Sequence, residues 1–273
     1  MTMTYRRFEI LSRLLCGLVL VAGLSGYTRA QSLGLAPAQV VEKFKPGVPF
    51  EFDLSTVNSG ETPVDMHVEI TDFWYDEKNE KIFSSPGTSP RSAANWIQFV
   101  PDHFEVVGHG SQKMKAIITP PVDARGGYYA VLFVQSKPQL SFPKGDGKGV
   151  STSMRIGCLV LLRAESTEEY KIELSNVKVT PPAETHGLNV DFDLLNASNT
   201  HVFPVARVAV LDSNRKLAAK AESAEKRFLP GQKNSMHVEW AGKLPPGDYT
   251  ALLTVAYGED RIETQQVAFS VAE

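Results

Sequence analysis

Phe50-Glu51-Phe52-Asp53-Leu54 alternates apolar and acidic residues, and Val190-Asp191-Phe192-Asp193-Leu194 repeats this alternation in the second half of the chain. A period of two is typical of a β-strand that buries one face and exposes the other. Short apolar or alternating runs of the same kind occur at 64–70, 114–118, 128–134, 205–211, 252–257 and 267–271. The segment 216–226, rich in Ala, Lys and Glu, is compatible with a helix or with a polar edge strand. The sequence therefore predicts an all-β protein.

The two halves share three motifs that occur in the same order, which indicates an internal repeat. Phe-Asp-Leu followed by Asn occurs at 52–58 and 192–196, a Gly turn with Gln-Lys at 110–113 and 231–233, and Pro-Pro leading to Gly and Tyr at 120–128 and 245–249. Chance similarity between turn sequences is the alternative. Three pairs in one order favour the repeat.

The repeat fits a known architecture. About seven strands in roughly 100 residues are typical of an immunoglobulin-like β-sandwich, as is a Tyr at the start of a late strand. Tyr128 and Tyr249 stand at that position in the two halves. The sequence predicts two tandem immunoglobulin-like β-sandwich domains at 31–163 and 171–273, joined by the polar linker 164–170.

Residues 1–30 have the pattern of a signal peptide. Arg6, Arg7 and Arg13 supply positive charge, an apolar run follows at 14–24, and Thr28-Arg29-Ala30 ends in a small residue at the expected cleavage site. Lipidation of Cys16 stays open, although the bulky Leu15 before it is unusual for a lipid acceptor. We expect a periplasmic protein, with secretion or the cell surface as the alternative.

Composition excludes several classes of function. Hydrophobic residues make up 42% of the chain and charged residues 22%, values of an ordinary globular protein. The formal net charge of −3 gives no basic footprint for nucleic acid. After residue 30 no segment reaches the length of a transmembrane helix, so no stable membrane insertion is expected.

The segment 136–163 stands out from the rest of the chain. Residues 136–149 are rich in Gly, Pro and Lys and predict a surface loop. The alternation that follows, over 150–162, predicts a strand far longer than the usual 5–6 residues. Such an edge strand either pairs with a partner's strand or is covered by the loop, and both alternatives stay open.

This arrangement resembles the periplasmic pilus-assembly chaperones, which combine a signal peptide, two immunoglobulin-like domains and a loop before a long last strand of the first domain. It is also similar to two-domain surface proteins that interact with cell-wall-binding WxL proteins. The first resemblance implies a chaperone-like partner of another exported protein, a pilin-like or surface subunit, bound by strand addition. The implied contact residues are Val150, Thr152, Met154, Arg155 and Ile156.

The same resemblance implies a role for charge. In the pilus chaperones a basic residue on the donated strand helps to anchor the partner's carboxylate, and Arg155 stands at that position. The family's second basic residue lies early in the first strand. Here that region reads Val40-Val41-Glu42, with Lys43 and Lys45 as the nearest basic residues.

Catalysis and metal binding find little support. The chain has neither a Gly-x-Ser-x-Gly elbow nor a His-Glu-x-x-His motif, and its six His are scattered. Cys158 falls on the apolar side of its strand and is predicted to be a buried, inert thiol. We therefore expect no enzyme activity, no catalytic residues, no metal and no cofactor.

A second function from another class remains. Trp74 and Tyr75 lie within an aromatic run that is followed by charged residues, and such a run can present a platform to a sugar or a peptide. An inward-facing Trp is the structural alternative. The competing hypothesis is thus a cell-surface or cell-wall binding module that uses Trp74 and Tyr75 or the cleft between the domains.

Overall fold

The computed structural model describes residues 33–76, 78–141, 150–258 and 260–272. Apart from a 3-10 turn at Ala94–Trp96, its regular elements are strands. The strands are β1 (Leu33–Ala36), β2 (Gln39–Phe44), β3 (Phe50–Asn58), β4 (Val64–Tyr75), β5 (Lys81–Ser84), β6 (Ile97–Val100), β7 (His103–Val106), β8 (Ser111–Ile118), β9 (Gly127–Ser136), β10 (Gln139–Ser141), β11 (Val150–Thr152), β12 (Arg155–Ala164), β13 (Ile172–Thr180), β14 (Leu188–Asn196), β15 (Val205–Asp212), β16 (Leu217–Glu222), β17 (Lys233–Trp240), β18 (Gly247–Gly258) and β19 (Arg261–Val271). The prediction of an all-β protein is confirmed.

Strands β1 to β12 form a two-layer sandwich. One layer has the order β1-β3-β8-β6, and the other has the order β2-β12-β9-β4-β5 with β7 also paired to β4. The chain passes from the first layer to the second between β1 and β2. Inward-facing side chains of both layers bury one apolar core, which includes Leu54, Met66, Met114 and Leu162, each 1% exposed or less. The strongly alternating runs of the sequence supply this core because only every second residue of a strand faces inward.

Strands β13 to β19 form a second sandwich from layers of order β13-β14-β17 and β16-β15-β18-β19. Its own apolar core includes Val190, Phe192, Val210 and Leu253. The two sandwiches agree with the predicted tandem immunoglobulin-like fold. The segment 216–226 contains β16, an edge strand, so the edge-strand alternative for it is correct.

A third apolar cluster lies where the two sandwiches meet. Leu229 and Phe203 of the second sandwich pack against the outer face of the first, on Phe73, Tyr129 and Leu161. Phe73, Leu161 and Leu229 have no exposed surface. We call this region the seam.

Asn199 ties the segment between β12 and β13 to the seam. Its backbone O accepts from Gly127 N at 2.9 Å, its Oδ1 accepts from Glu169 N at 2.9 Å, and its Nδ2 donates to Thr167 O at 2.8 Å. Gly126 N of the first sandwich also donates to Thr167 Oγ1 at 2.9 Å, so the predicted linker is held by hydrogen bonds from both sandwiches. The predicted signal peptide, 1–30, lies outside the described residues.

Candidate functional site

The edge of β12 is covered along only part of its length. On one side β12 pairs with β9 from Arg155 to Arg163, antiparallel. On the other side β2 runs parallel to it, but only from Leu159 to Ala164. Within the described ranges, 33–76, 78–141, 150–258 and 260–272, no strand pairs with residues 155–158 on the side of β2. We call this stretch of 155–158 the open edge.

Two hydrogen bonds fix the direction of the backbone groups at the open edge. Ser136 N donates to Met154 O at 2.8 Å on the β9 side, and Leu159 N donates to Ala38 O at 3.1 Å on the β2 side. Backbone groups of successive residues point to alternate sides of a strand. Arg155 and Gly157 therefore direct their N–H and C=O groups toward the open side.

The predicted long strand is interrupted. The structure has β11 and β12 with a break at Ser153 and Met154, instead of one strand over 150–162. Ser136 organises the break, because its Oγ accepts from Met154 N at 2.9 Å and its backbone O accepts from Ser153 Oγ at 3.0 Å. The pairing shifts by one residue here, from Arg155 opposite Gln135 to Thr152 opposite Gln139. The period-two pattern could not reveal this, because the polar Ser153 fits the outer face of a continuous strand.

The predicted contact residues are spread over both strands. Val150 and Thr152 lie on β11, which pairs with β10, and Thr152 is exposed. Met154 lies in the break and is half-buried. Ile156 lies at the open edge and packs against the core of its own sandwich, as do Leu33 and Leu35 of β1.

Arg155 already has partners within the chain. Its Nη2 donates to Glu69 Oε2 at 2.8 Å, and its guanidinium lies 3.7 Å above the centre of the Phe133 ring. Both charged side chains of the pair stay partly exposed, at 39% and 46%. Arg155 is thus a neutralised, ring-stacked side chain on the outer face of the sheet.

Trp74 and Tyr75 contribute to the seam. The Trp74 ring lies 5.6 Å from that of Tyr129, and the Tyr75 hydroxyl accepts from Arg227 Nη2 at 3.1 Å. Both side chains are half-buried and pack on the third cluster. The structure thus brings this pair to the boundary between the sandwiches, away from the open edge.

Cys158 has no exposed surface, and this part of its prediction is confirmed. Burial raises the pKa of its thiol to about 11. The thiolate is the reactive form of cysteine, so this thiol is poorly suited to attack a substrate at neutral pH.

The seam holds a basic group that the sequence did not indicate. Arg163, at the end of β12, donates from Nη1 to Tyr170 Oη at 2.6 Å, and Arg227 donates from Nη1 to Gln39 Oε1 at 2.6 Å. The Nε of each arginine and both ring nitrogens of His201 are buried and have no hydrogen-bond partner in the part of the chain that the structure describes. These residues come from separate strands and loops, so no sequence spacing could associate them.

His201 is held neutral by its surroundings. It is fully buried between the rings of Tyr129 and Phe203, at centroid distances of 5.7 and 5.5 Å. Burial, and then the positive charges of Arg163 and Arg227, lower its pKa to about 3. Arg163 and His201 also line a surface cavity of about 280 Å³ beside Arg207 and Tyr257. This part of the seam therefore favours a negatively charged group.

No helix among the described residues is both long and apolar enough to span a bilayer. No three side chains of His, Cys, Asp or Glu come close enough within that part of the chain to hold a metal ion.

Comparison with known proteins gives similarities of structure only. No protein-family model matches the sequence. No curated protein matches it either. Among solved structures the chain is similar to the class 5 fimbriae chaperone CfaA, with a TM-score of 0.47 and 9% identity over 89% of this chain and 100% of that one. It is similar to the SafB chaperone in its complex with the SafA pilin of Salmonella enterica, with a TM-score of 0.43 and 12% identity over 89% and 98% of the two chains. It is also similar to the Pseudomonas aeruginosa CupB2 chaperone, with a TM-score of 0.40 and 14% identity over 86% and 99%.

Proposed function

We propose that this protein is an exported, non-enzymatic, chaperone-like protein that binds another exported protein by β-strand addition at the open edge. The partner is a pilin-like or surface subunit, and binding takes place in the periplasm. The observation that carries the proposal is the partial cover of β12, whose residues 155–158 have β9 on one side only among the described residues.

Backbone geometry supports strand addition. Arg155 and Gly157 direct two N–H and two C=O groups toward the open side, as inferred from the hydrogen bonds of Met154 and Leu159. An incoming strand satisfies these groups and continues the sheet, so its main chain supplies affinity and its side chains supply specificity. A soluble protein ordinarily protects such an edge with charge, a bulge or a covering segment.

Side chains on the two faces of the open edge would have different parts in binding. Ile156 packs against the first core and the half-buried Met154 lies two residues before it, so an incoming apolar side chain beside Ile156 loses contact with water. Arg155 would have to exchange the carboxylate of Glu69 for that of the partner, an exchange with little net gain. Arg163 lines the surface cavity of about 280 Å³ at the seam, beside His201 and Arg207, and is better placed to receive a partner's carboxylate.

The proposal is tested by recovering the tagged full-length protein from the envelope of its own host and measuring its mass in the native state. We expect a stoichiometric complex with a small exported protein. Ile156→Asp should abolish the complex, because it places a charge in the contact with the incoming strand. Ile262→Asp controls for a new charge on an edge strand, since Ile262 is 62% exposed on the edge strand β19 of the other sandwich, and urea unfolding of Ile156→Asp checks that the half-buried site still folds.

Two outcomes would overturn the proposal. One is a complex that survives Ile156→Asp while the variant keeps the far-UV spectrum of the parent. The other is a protein recovered alone under conditions that preserve known chaperone–subunit complexes. A comparison of Arg155→Ala with Arg163→Ala then distinguishes the two carboxylate positions, and we expect the larger loss of complex for Arg163→Ala.

A further inference from the structure

Gly157 stands at the centre of the open edge and its missing side chain shapes the outer face there. A Cβ at this position would lie 2.8 Å from Phe133 Cε1, 3.0 Å from Phe133 Cδ1 and 3.3 Å from Val131 Cγ2. The ring of Phe133, from the neighbouring strand β9, thus lies across β12 over Gly157. Glycine within a strand often marks a place where another backbone approaches closely.

The Phe133 ring is fixed from several sides. The Arg155 guanidinium stacks on one face at 3.7 Å, and Glu69 holds that guanidinium at 2.8 Å. Phe83 of β5 meets the ring at 5.3 Å in a T-shaped arrangement. Binding against a ring that is already ordered costs less side-chain entropy than binding against a mobile one.

An incoming strand would run about 4.8 Å from β12, next to Gly157. Gly157 belongs to the outer-face residues of β12, together with Arg155, Leu159 and Leu161. The residue of the incoming strand opposite Gly157 therefore also directs its side chain to the outer face. Residues directly opposite each other on neighbouring strands share a face. With no side chain at Gly157, the first apolar surface that this side chain meets is the Phe133 ring.

We infer that Phe133 is a specificity-determining residue of the open edge, selecting partner strands that carry a large apolar side chain opposite Gly157. The inference rests on the proposed strand addition and states the chemistry of the strand. A small residue at that position leaves the ring edge exposed to water, and a carboxylate would be desolvated beside an arginine that Glu69 already neutralises. Aromatic and long aliphatic side chains gain contact area with the ring.

The test uses a phage-displayed library of random 12-residue peptides, panned against the immobilised full-length protein. We expect the enriched peptides to share an alternating apolar pattern with Phe, Tyr, Trp, Leu or Met at one fixed position. Replacing that residue by Ala in a synthetic copy of the best peptide should weaken binding to the parent protein about fivefold. The same replacement should have no effect on binding to the Phe133→Ala variant.

Control variants separate this inference from the function on which it rests. Phe133→Leu keeps an apolar side chain if Phe133→Ala fails to fold, and it should shift the preference toward aliphatic residues. Gln135→Ala, on the same face of β9, should leave the preference unchanged. Enriched peptides that bind Ile156→Asp as well as the parent would contradict strand addition itself. Peptides that need Ile156 but show the same preference with Phe133→Ala would overturn the role of Phe133 alone.

Discussion

Asn58 and Asn196 share three equivalent hydrogen bonds at the same point of the two sandwiches. Each stands at the end of its strand, β3 or β14, with no exposed surface. Asn58 Nδ2 donates to Thr62 O at 2.8 Å and Val106 O at 3.0 Å, and its Oδ1 accepts from Gly60 N at 2.9 Å.

Asn196 reproduces each of these bonds. Its Nδ2 donates to Thr200 O at 2.9 Å and Phe228 O at 3.1 Å, and its Oδ1 accepts from Ser198 N at 2.9 Å. In both halves the Asn joins its own turn to a distant segment. The turn that follows β3 or β14, which we call the corner, therefore depends on one buried amide whose donors and acceptor are all satisfied.

Removal of either amide should be costly. Asn58→Ala or Asn196→Ala removes at least three hydrogen bonds to backbone groups in a buried corner, and a buried backbone group that is left without a partner costs about 1–3 kcal/mol. We expect each variant to lose about 2–4 kcal/mol of unfolding free energy in urea. Asn214→Ala, at an exposed turn, is the control and should change little. An unchanged urea midpoint for both corner variants would contradict the account.

The joint between the sandwiches should depend on Asn199. Its side chain bonds to Thr167 and Glu169 in the predicted linker, so Asn199→Ala frees the backbone there. Because two hydrogen bonds are lost, we expect limited proteolysis to cut within 164–170 about ten times faster than in the parent, and to release two fragments near the predicted domains 31–163 and 171–273. Cleavage at other sites, with the linker still resistant, would contradict both the role of Asn199 at the linker and the predicted domain boundaries.

Stability should fall in mild acid because of His201. The pKa of His201 in the folded chain, about 3, lies below the ordinary value of 6.5, so below pH 6.5 the unfolded chain binds a proton that the folded chain does not. The stabilising contribution is complete above pH 6.5 and declines as the pH falls toward 3, by at most about 1.4 kcal/mol per pH unit.

Urea unfolding of the parent and of His201→Phe between pH 7 and 5 measures this contribution. The Phe ring fits between Tyr129 and Phe203 but does not titrate, so the variant should show a shallower dependence on pH. His237→Gln, on an exposed position of β17, should behave like the parent. Parallel curves for the parent and His201→Phe would show that His201 is not the responsible group.

The buried thiol of Cys158 should be protected from alkylation. A thiol pKa of about 11, against the ordinary value of 9.0, reduces the thiolate fraction about 100-fold, before the lack of exposure is considered. Peptide mapping after iodoacetamide treatment at pH 8 should find the Cys158 peptide unmodified in the folded chain and modified in guanidinium. Equal rates of Cys158 alkylation with and without guanidinium would mean that β12 opens freely in the folded chain.

The two Phe-Asp-Leu motifs that indicate the internal repeat do not occupy equivalent positions in the two sandwiches. Phe52-Asp53-Leu54 and Phe192-Asp193-Leu194 look alike, yet Asn58 follows Leu54 by four residues and Asn196 follows Leu194 by two. In the structure the two Asn are equivalent, so the buried Leu54 corresponds to Phe192. A shift of two residues keeps the same face of a strand, which is why the sequence pattern still predicted the correct fold.

By itself, the sequence determined the class of fold, because strand alternation and turn residues are local properties that need no knowledge of distant neighbours. It also placed Cys158 and Ile156 on the inward face, since that face follows from the same alternation. Only the tertiary structure decided where β2 stops along β12, that Glu69 neutralises Arg155, and that Arg163, Arg227 and His201 meet at the seam. These features depend on strand order and on contacts between segments far apart in the chain, and periodicity carries no information about either.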